Sequence, residues 1–473
     1  MGNLYSVLNS ASQSLQAFEK AIDVTQNNVT NANSPGYAEQ VPELISQSFQ
    51  SQTGINSGGV SEVTQDTRSS YADTAVQQQL SLQGMYQQLQ TTLAPLQNVF
   101  DVSSTSPIPS ALNQLFQSFS QWSTQPSNAD YQSAVIDAAQ QTASAFQQAA
   151  VQLGQIQTST TNDIQSTVTQ INQDAATIQT YNQEIAANPQ ADAGLSAQIE
   201  NTLENLSGLA NIQVLPGNGG TVTVLLGGQT TLVQGNQVNV LQAVNNTASN
   251  NGNPDAAPNI SIVDANGDDL TGEITSGSLA GLLSVRNNLL PSLIGGGQQV
   301  GGLNTLAEGL ANSVNAVLAA GTDSNNDPGT PLFTYNSASP SGIAGTLAVT
   351  SGITGAQLAA ADPGPPSVAN GAALTLAGLD SSSPGPINGQ GFTQYFSSLT
   401  STVGYAVSNA NTQATAQSQL VAQAQSLQQQ VSGVSLDEEA VRLVQLQSSY
   451  DAASKVVTVI DDTLQSLINM IPT

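Results

Sequence analysis

The 473 residues carry a formal charge of −27, and Lys20, Arg68, Arg286, Arg442 and Lys455 are the only cations, so no basic surface exists to neutralise a phosphate backbone or an anionic membrane face. Cys and His are absent, which excludes thiolate and imidazole catalysis, zinc fingers and the usual haem ligands. Apolar residues make up 39 % of the chain but aromatic ones only 4 %, so the apolar content is mostly Ala, Val, Leu and Ile, which suits long, thin helical packing in several units.

The N-terminal stretch MGNLYSVLNSASQSL lacks the basic region and apolar run of a secretory signal, and no stretch approaches the length of an apolar membrane helix. Export, if it occurs, is expected to read another feature. Leu4, Leu8, Ala11, Leu15, Phe18, Ile22 and Val29 alternate in steps of three and four, with Thr25 as a polar interruption, and predict a heptad seam. A second seam follows at Tyr71, Ala75, Leu82, Met85, Leu89 and Leu96, with Gln78 and Thr92 at its polar positions. From residue 127 to 187 no Pro occurs, and Ile164, Val168, Ile171, Ala175, Ile178 and Ile185 line one stripe. This predicts a helix of about sixty residues, roughly 90 Å long, stopped by Asn188-Pro189 and followed by a shorter antiparallel helix around 195–209.

After Asn211 the β-branched runs IQVL, TVTVLL and TTLVQ, separated by Gly-rich turn signals, predict a small antiparallel β region, with another strand at 259–264 and a hairpin signal at Asn266-Gly267. Helix is predicted to return over 278–320 with an interruption at GGGQQVGG, and 322–390 reads as loop-dominated, GTLAVT being its clearest strand. From Phe392 another seam runs through Leu399, Val403, Ala406, Ala410, Leu420, Ala424, Leu427 and Val431, with Gln413 and Gln417 as polar interruptions. The last one holds Leu443, Leu446, Tyr450, Ala453, Val457, Ile460, Leu464, Leu467 and Ile471. The predicted fold is mainly α with inserted β. Both chain ends form one long coiled-coil-like helical body, to which a small antiparallel β domain and a loop-rich segment are added. The expected units are 1–40, 41–210, 211–275, 276–321, 322–390 and 391–473.

Carboxylates are the only catalytic chemistry left, and no convincing pair converges. Asp437, Glu438 and Glu439 are consecutive on a helix, are expected to face solvent, and fit helix initiation better than catalysis, with Ser435 as N-cap and Glu438 closing a capping box. Asp323, Asn325 and Asp327 resemble the start of a calcium loop, but Pro328 and Thr334 stand where Gly and Glu are required, so a solvated turn is expected. Asp264, Asp268 and Asp269 are read the same way. No metal, cofactor or catalytic residue is predicted.

Two motifs carry a resemblance. The run from Asn27 to Tyr37, with Asn27, Asn28, Asn31, Asn33, Pro35, Gly36 and Tyr37, resembles the N-terminal signature of flagellar rod, hook and hook-associated proteins; its Asn residues are expected to tolerate left-handed geometry at a helix end, and Pro35-Gly36 to send the next strand away from the helix. Gly433, Leu436, Asp437, Glu438 and Glu439 in SGVSLDEE resemble the paired C-terminal signature. The helical interior and the Ser276–Leu283 run with Arg286 are similar to the junction members of the family; hook and rod proteins have mainly β interiors. The resemblance implies a non-enzymatic subunit, secreted through the flagellar type III export apparatus with a cytoplasmic chaperone on the C-terminal helix. It further implies assembly as a homo-oligomeric ring between hook protein below and the next junction protein above, in contact with neither nucleic acid nor membrane. The seam residues of the two terminal helices are the expected assembly interface.

Overall fold

The computed structural model describes residues 2–49, 57–101, 106–187, 193–246, 258–296, 299–336, 342–382 and 385–469. The chain begins with helix α1 (Gly2–Asn31) and a long hairpin, β1 (Gln40–Phe49) against β2 (Ser57–Asp66), in register from Gln40↔Asp66 to Phe49↔Ser57. Helix α2 (Ser70–Val99) starts at Ser69, whose hydroxyl accepts from Ala72 N–H. Helix α3 (Pro107–Thr124) has prolines in its first turn, where a missing N–H costs nothing. Asn128 then accepts from Asp130 N–H at the head of α4 (Ala129–Ala187), one continuous helix of 59 residues. The predicted stop at Asn188-Pro189 lies outside the described residues. Helix α5 (Ala193–Leu209) packs back on α4 and against α2.

The β region is a meander of β3 (Ile212–Pro216), β4 (Val222–Leu226), β5 (Thr230–Gln234) and β6 (Gln237–Val238), with Val214 opposite Val224. A separate pair joins β7 (Gln242–Asn246) to β8 (Asn259–Val263). The hairpin signal at Asn266-Gly267 does make a tight turn, with Asp264 N–H donating to Asp268 O, but the main partner of β8 is β7, on its N-terminal side. Helices α6 (Ser278–Ser284) and α7 (Leu290–Ile294) are joined through a π-helical turn at Val285–Leu289, and α8 (Gly302–Ala320) follows the glycine interruption.

Short elements occupy the loop-rich part: β9 (Phe333–Thr334), α9 (Ile343–Thr346), β10 (Ala348–Val349, paired with β9) and α10 (Gly371–Ala377). This segment is not peripheral, because Leu332, Phe333, Ile343, Ala344, Leu347, Leu376 and Ile387 are buried in the main core. The chain closes with α11 (Phe392–Ser432) and α12 (Leu436–Asn469).

Two hydrophobic cores share α4. Its first half, from Val135 to Leu153, packs with α3, α8, the loop-rich segment and the start of α11, around Trp122, Phe119 and Phe146. Its second half, from Ile164 to Ile178, packs with α5, α6 and the β region. A single helix therefore ties both cores into one body.

The seams of α2 and α11 run differently from the expected ones. Tyr71 is 80 % exposed, and Leu420, Leu427 and Val431 face outward. The buried stripe of α11 keeps Val403, Ala410 and Gln417 of the expected seam and adds Val407, Ala414, Val421 and Ser432, along α2. Gln417 donates to Gln79 O and Gln428 to Asp73 Oδ1 (2.8 Å), and these amide bonds turn the polar positions inward.

Where α2 crosses α5 the backbones nearly touch: a Cβ on Gly84 would sit 2.0 Å from Gly208 O, whereas one on Gly208 meets nothing within 4 Å. Gly84→Ala is expected to lower stability by about 1–3 kcal/mol through forced separation of the helices. Gly208→Ala is expected to stabilise by about 0.5–1 kcal/mol through helix propensity. Urea unfolding of the two variants tests the pair.

Candidate functional site

Both ends of the chain meet at one joint. Asn28, in the last turns of α1, is completely buried and holds both backbone groups of one residue: its Nδ2 donates to Gln40 O (2.8 Å), and its Oδ1 accepts from Gln40 N–H (3.0 Å). The same Oδ1 accepts from the Tyr37 hydroxyl at 2.9 Å. Burial, and after it the negative charges of Glu439, Asp66 and Glu39, push the Tyr37 hydroxyl up to about 12, so it remains a donor at any ordinary pH.

From the other end, Glu39 N–H donates to Ser432 O (2.9 Å), and Ser432 Oγ accepts from Ser69 N–H (3.1 Å). Arg442 Nη1 reaches Glu39 Oε1 at 2.9 Å and also pairs with Glu439, one helical turn back. Glu439 is fully buried, contrary to the solvent position expected for it; Asp437 and Glu438 are exposed. Burial pushes the Glu439 carboxyl up, and Asn28 and Arg442 act against that shift. Helix initiation is as expected in one respect, since Ser435 Oγ caps the Glu438 N–H at 3.5 Å.

The N-terminal motif works differently from the expectation. None of Asn27, Asn28, Asn31 or Asn33 is left-handed; the positive φ falls on Gly36, at 73°. A Cβ there would lie 2.4 Å from Ala197 O of α5, so only glycine lets the motif loop rest on the helical body. Asn31 accepts from the Ser34 hydroxyl (3.1 Å), while Asn33 and Pro35 are exposed. The following hairpin is not sent away: it returns along α1, with Val60 N–H donating to Ser14 Oγ at 3.2 Å.

Beyond the joint, α1 packs along α12. The α12 seam faces inward, with Leu446 and Ile460 buried and Leu443, Tyr450, Ala453, Val457 and Leu464 half-buried. On α1 the fully buried track is Ala17, Ala21, Thr25 and Asn28, one position from the expected seam. Leu8, Ala11, Leu15, Phe18 and Ile22 are half-buried beside it, and Val29 is 43 % exposed because turning Asn28 inward points its neighbour out. Thr25 interrupts nothing, since its hydroxyl donates to Ala21 O (2.9 Å). The side chains of Leu4 and Leu467, and Ile471, lie outside the described residues.

A stripe not predicted is present on the opposite side of α12, where Val441, Val444, Val456 and Val459 are each at least half exposed. Each pair is spaced by three residues, but the largely polar stretch between Val444 and Val456 breaks any heptad, so periodicity did not mark the stripe.

The model of the flagellar hook-associated protein FlgK helical domain matches residues 93–333, just over half the chain. The chain belongs to the FlgK family of flagellar hook-associated proteins. Residues 427–470 match the C-terminal model of the flagellar basal body rod FlgEFG proteins, which covers the Ser432–Arg442 side of the joint. The chain is 24 % identical over 510 aligned positions to flagellar hook-associated protein 1 of Bacillus subtilis (strain 168), covering 99 % of each. Its fold is shared with the flagellar hook junction protein FlgK of Burkholderia pseudomallei, at a TM-score of 0.64 and 18 % identity, over 76 % of this chain and 100 % of that one. The continuous α4 and the helical interior separate the chain from the alternative of a hook or rod protein with a mainly β interior.

Removing Arg442 strands the Glu439 charge in a dry site. Arg442→Ala is expected to cost about 3 kcal/mol, and adding Glu439→Gln is expected to restore more than half of it. Denaturant titration of the single and double variants reads both values; equal losses in the two would disprove the pairing.

Proposed function

We propose that this protein is the secreted structural subunit that joins the flagellar hook to its filament. The observation that carries the reading is the match of its helical interior, residues 93–333, to the FlgK hook-associated domain. In this reading the subunit is not an enzyme and uses no cofactor. It passes through the flagellar export apparatus, escorted by a cytoplasmic chaperone on its C-terminal helix. It then assembles as a homo-oligomeric ring with hook protein below and the next junction protein above.

The physical support lies in how apolar surface is distributed on the terminal helices. The inner stripe of α12 is used against α1, which makes the two ends one rod. The outer stripe of Val441, Val444, Val456 and Val459 stays uncovered, and a helix apolar on two opposite sides needs a second neighbour. We assign that neighbour to the adjacent subunits, with the uncovered parts of Leu8, Ala11, Leu15, Phe18 and Ile22 completing the contact. The other exposed side chains of the rod mix Gln, Ser and Thr with acidic residues, and the uncharged ones can rearrange hydrogen bonds between unlike partners.

A strain of the source bacterium lacking this gene is expected to carry hooks without filaments and to release filament protein into the medium. Re-expressed protein with Val444→Asp and Val459→Asp is expected to unfold at the same temperature as the parent but to leave the cells non-motile. Swimming cells with attached filaments in the deletion strain would refute the proposal.

A further inference from the structure

Behind the motif loop, where α2, α5 and α11 converge, three carboxylates share one guanidinium. Asp73 and Glu200 are each only 5 % exposed. Arg68 Nη1 lies 3.8 Å from Asp73 Oδ2 and 3.6 Å from Glu200 Oε2, too long for direct hydrogen bonds, while its Nη2 donates to Gly36 O at 2.6 Å. Its Nε also lies 3.9 Å from Asp66. Two amides complete the cluster: Gln77 donates to Glu200 (3.1 Å), and Gln428 donates to Asp73 (2.8 Å) and Glu204 (3.3 Å). Among these groups one cation faces two buried acids, Asp73 and Glu200, and the exposed Asp66, and the same cation holds the carbonyl of Gly36.

We propose that this cluster is a proton-operated latch, which fastens the chain-end joint to the helical body when Glu200 carries a proton and slackens it when Glu200 is ionised. The charges acting on Glu200 come from α2 (Asp73), the connection before α2 (Arg68) and α5 itself (Glu204); α4, packed on the same helix, adds none. With Glu200 neutral, Arg68 answers Asp73 and Asp66, with Glu204 beyond them, and keeps its bond to Gly36. With Glu200 ionised, a further buried negative charge faces the same single cation and repels Asp73 across α2 and α5. Gly36 sits against Ala197 O and Asn201 N, one turn of α5 from Glu200, so a displacement there moves the loop.

Burial, then the Asp73 charge, raises the Glu200 carboxyl to about 7, with Arg68 opposing; burial likewise raises Asp73 and Glu204. The unfolded carboxyl titrates near 4.5. Between these values the folded protein holds the extra proton, so stability falls as pH rises, and the contribution is lost once pH passes the folded value.

The test is amide hydrogen exchange on the full-length protein from about pH 5.5 to about pH 8.5, corrected for intrinsic rates, following residues 36–40 and 196–204 with 164–178 as internal reference. Protection of the first two segments is expected to fall at least about tenfold relative to the reference as pH rises to about 7 and then to level off, and Glu200→Gln is expected to abolish that dependence. Asp73→Asn, which removes the second-largest cause of the shift, is expected to move the midpoint toward acid. Constant protection in the parent, an unchanged profile in Glu200→Gln, or an unmoved midpoint in Asp73→Asn would each overturn the latch.

Discussion

A side-chain amide that donates to the carbonyl and accepts from the N–H of one residue recurs at five places where a helix meets a strand or loop. Asn28 does this to Gln40, Asn172 to Leu241 (2.9 Å for both bonds), Asn182 to Val222 (2.8 Å for both), Asn287 to Ile260 (2.8 Å for both) and Asn315 to Phe333 (2.7 and 3.0 Å). The reason lies in the size of the β elements. Sheets of two to four short strands leave an edge peptide at nearly every position, and a buried unpaired peptide costs more than a made hydrogen bond gains. An asparagine from the helix replaces the missing strand without adding charge. Lysine or glutamate could satisfy one group of the pair; only an amide satisfies both.

The same chemistry explains how a chain with so few cations packs polar seams. Between α2 and α11 the interior carries Gln417 and Ser432 beside valines and alanines, and amides bond across the interface, Gln417 to Gln79 O and Gln428 to Asp73. On the other side of α2 small residues allow close approach to α5, most visibly at Gly84 against Gly208. Three arginines are kept for places where amides do not suffice. Arg68 and Arg442 each counter buried acids, and Arg286 ties α4 to the β region through Thr161 Oγ1 and Pro258 O (2.9 Å each). The two lysines, Lys20 and Lys455, stay on exposed positions of the terminal helices.

Long-range periodicity made the helical frame legible. Ile164 to Ile178 marked the buried face of α4 correctly, and Leu446 to Ile460 that of α12, because each stripe is apolar throughout and needs no polar group to turn inward. Legibility failed where polar groups turn inward. Counting apolar positions placed Val29 inside and left Asn28 to the turn, and it placed Leu427 and Val431 on a seam that Gln428 and Ser432 occupy. Glu439 was hidden for the same reason, since its burial depends on Arg442 and Asn28, the latter more than four hundred residues away. Helix α3 went unassigned although Leu112, Leu115, Phe119 and Trp122 hold helical spacing and its two prolines suit a first turn. The β7 to β8 pairing went unread although the turn dipeptides Asn251-Gly252 and Asn253-Pro254 stand between the two strands in sequence.

Distance along the chain gives the joint its particular character. Its bonds from Glu39 to Ser432 and from Glu39 to Arg442 span nearly the whole molecule, so they form only when the body has already brought α2 and α11 side by side. Closing a chain of that length costs only about 0.6 kcal/mol more for each doubling, which a few buried hydrogen bonds offset. The joint is therefore affordable in a folded subunit and absent from an extended one. Its parts are correspondingly of two kinds: amide contacts such as Asn28 with Gln40, indifferent to pH, set the geometry, and the acids around Arg68 and Arg442 set how firmly that geometry is held. Separating position from firmness in this way lets the terminal rod change its attachment to the body without losing the register in which α1 and α12 pack.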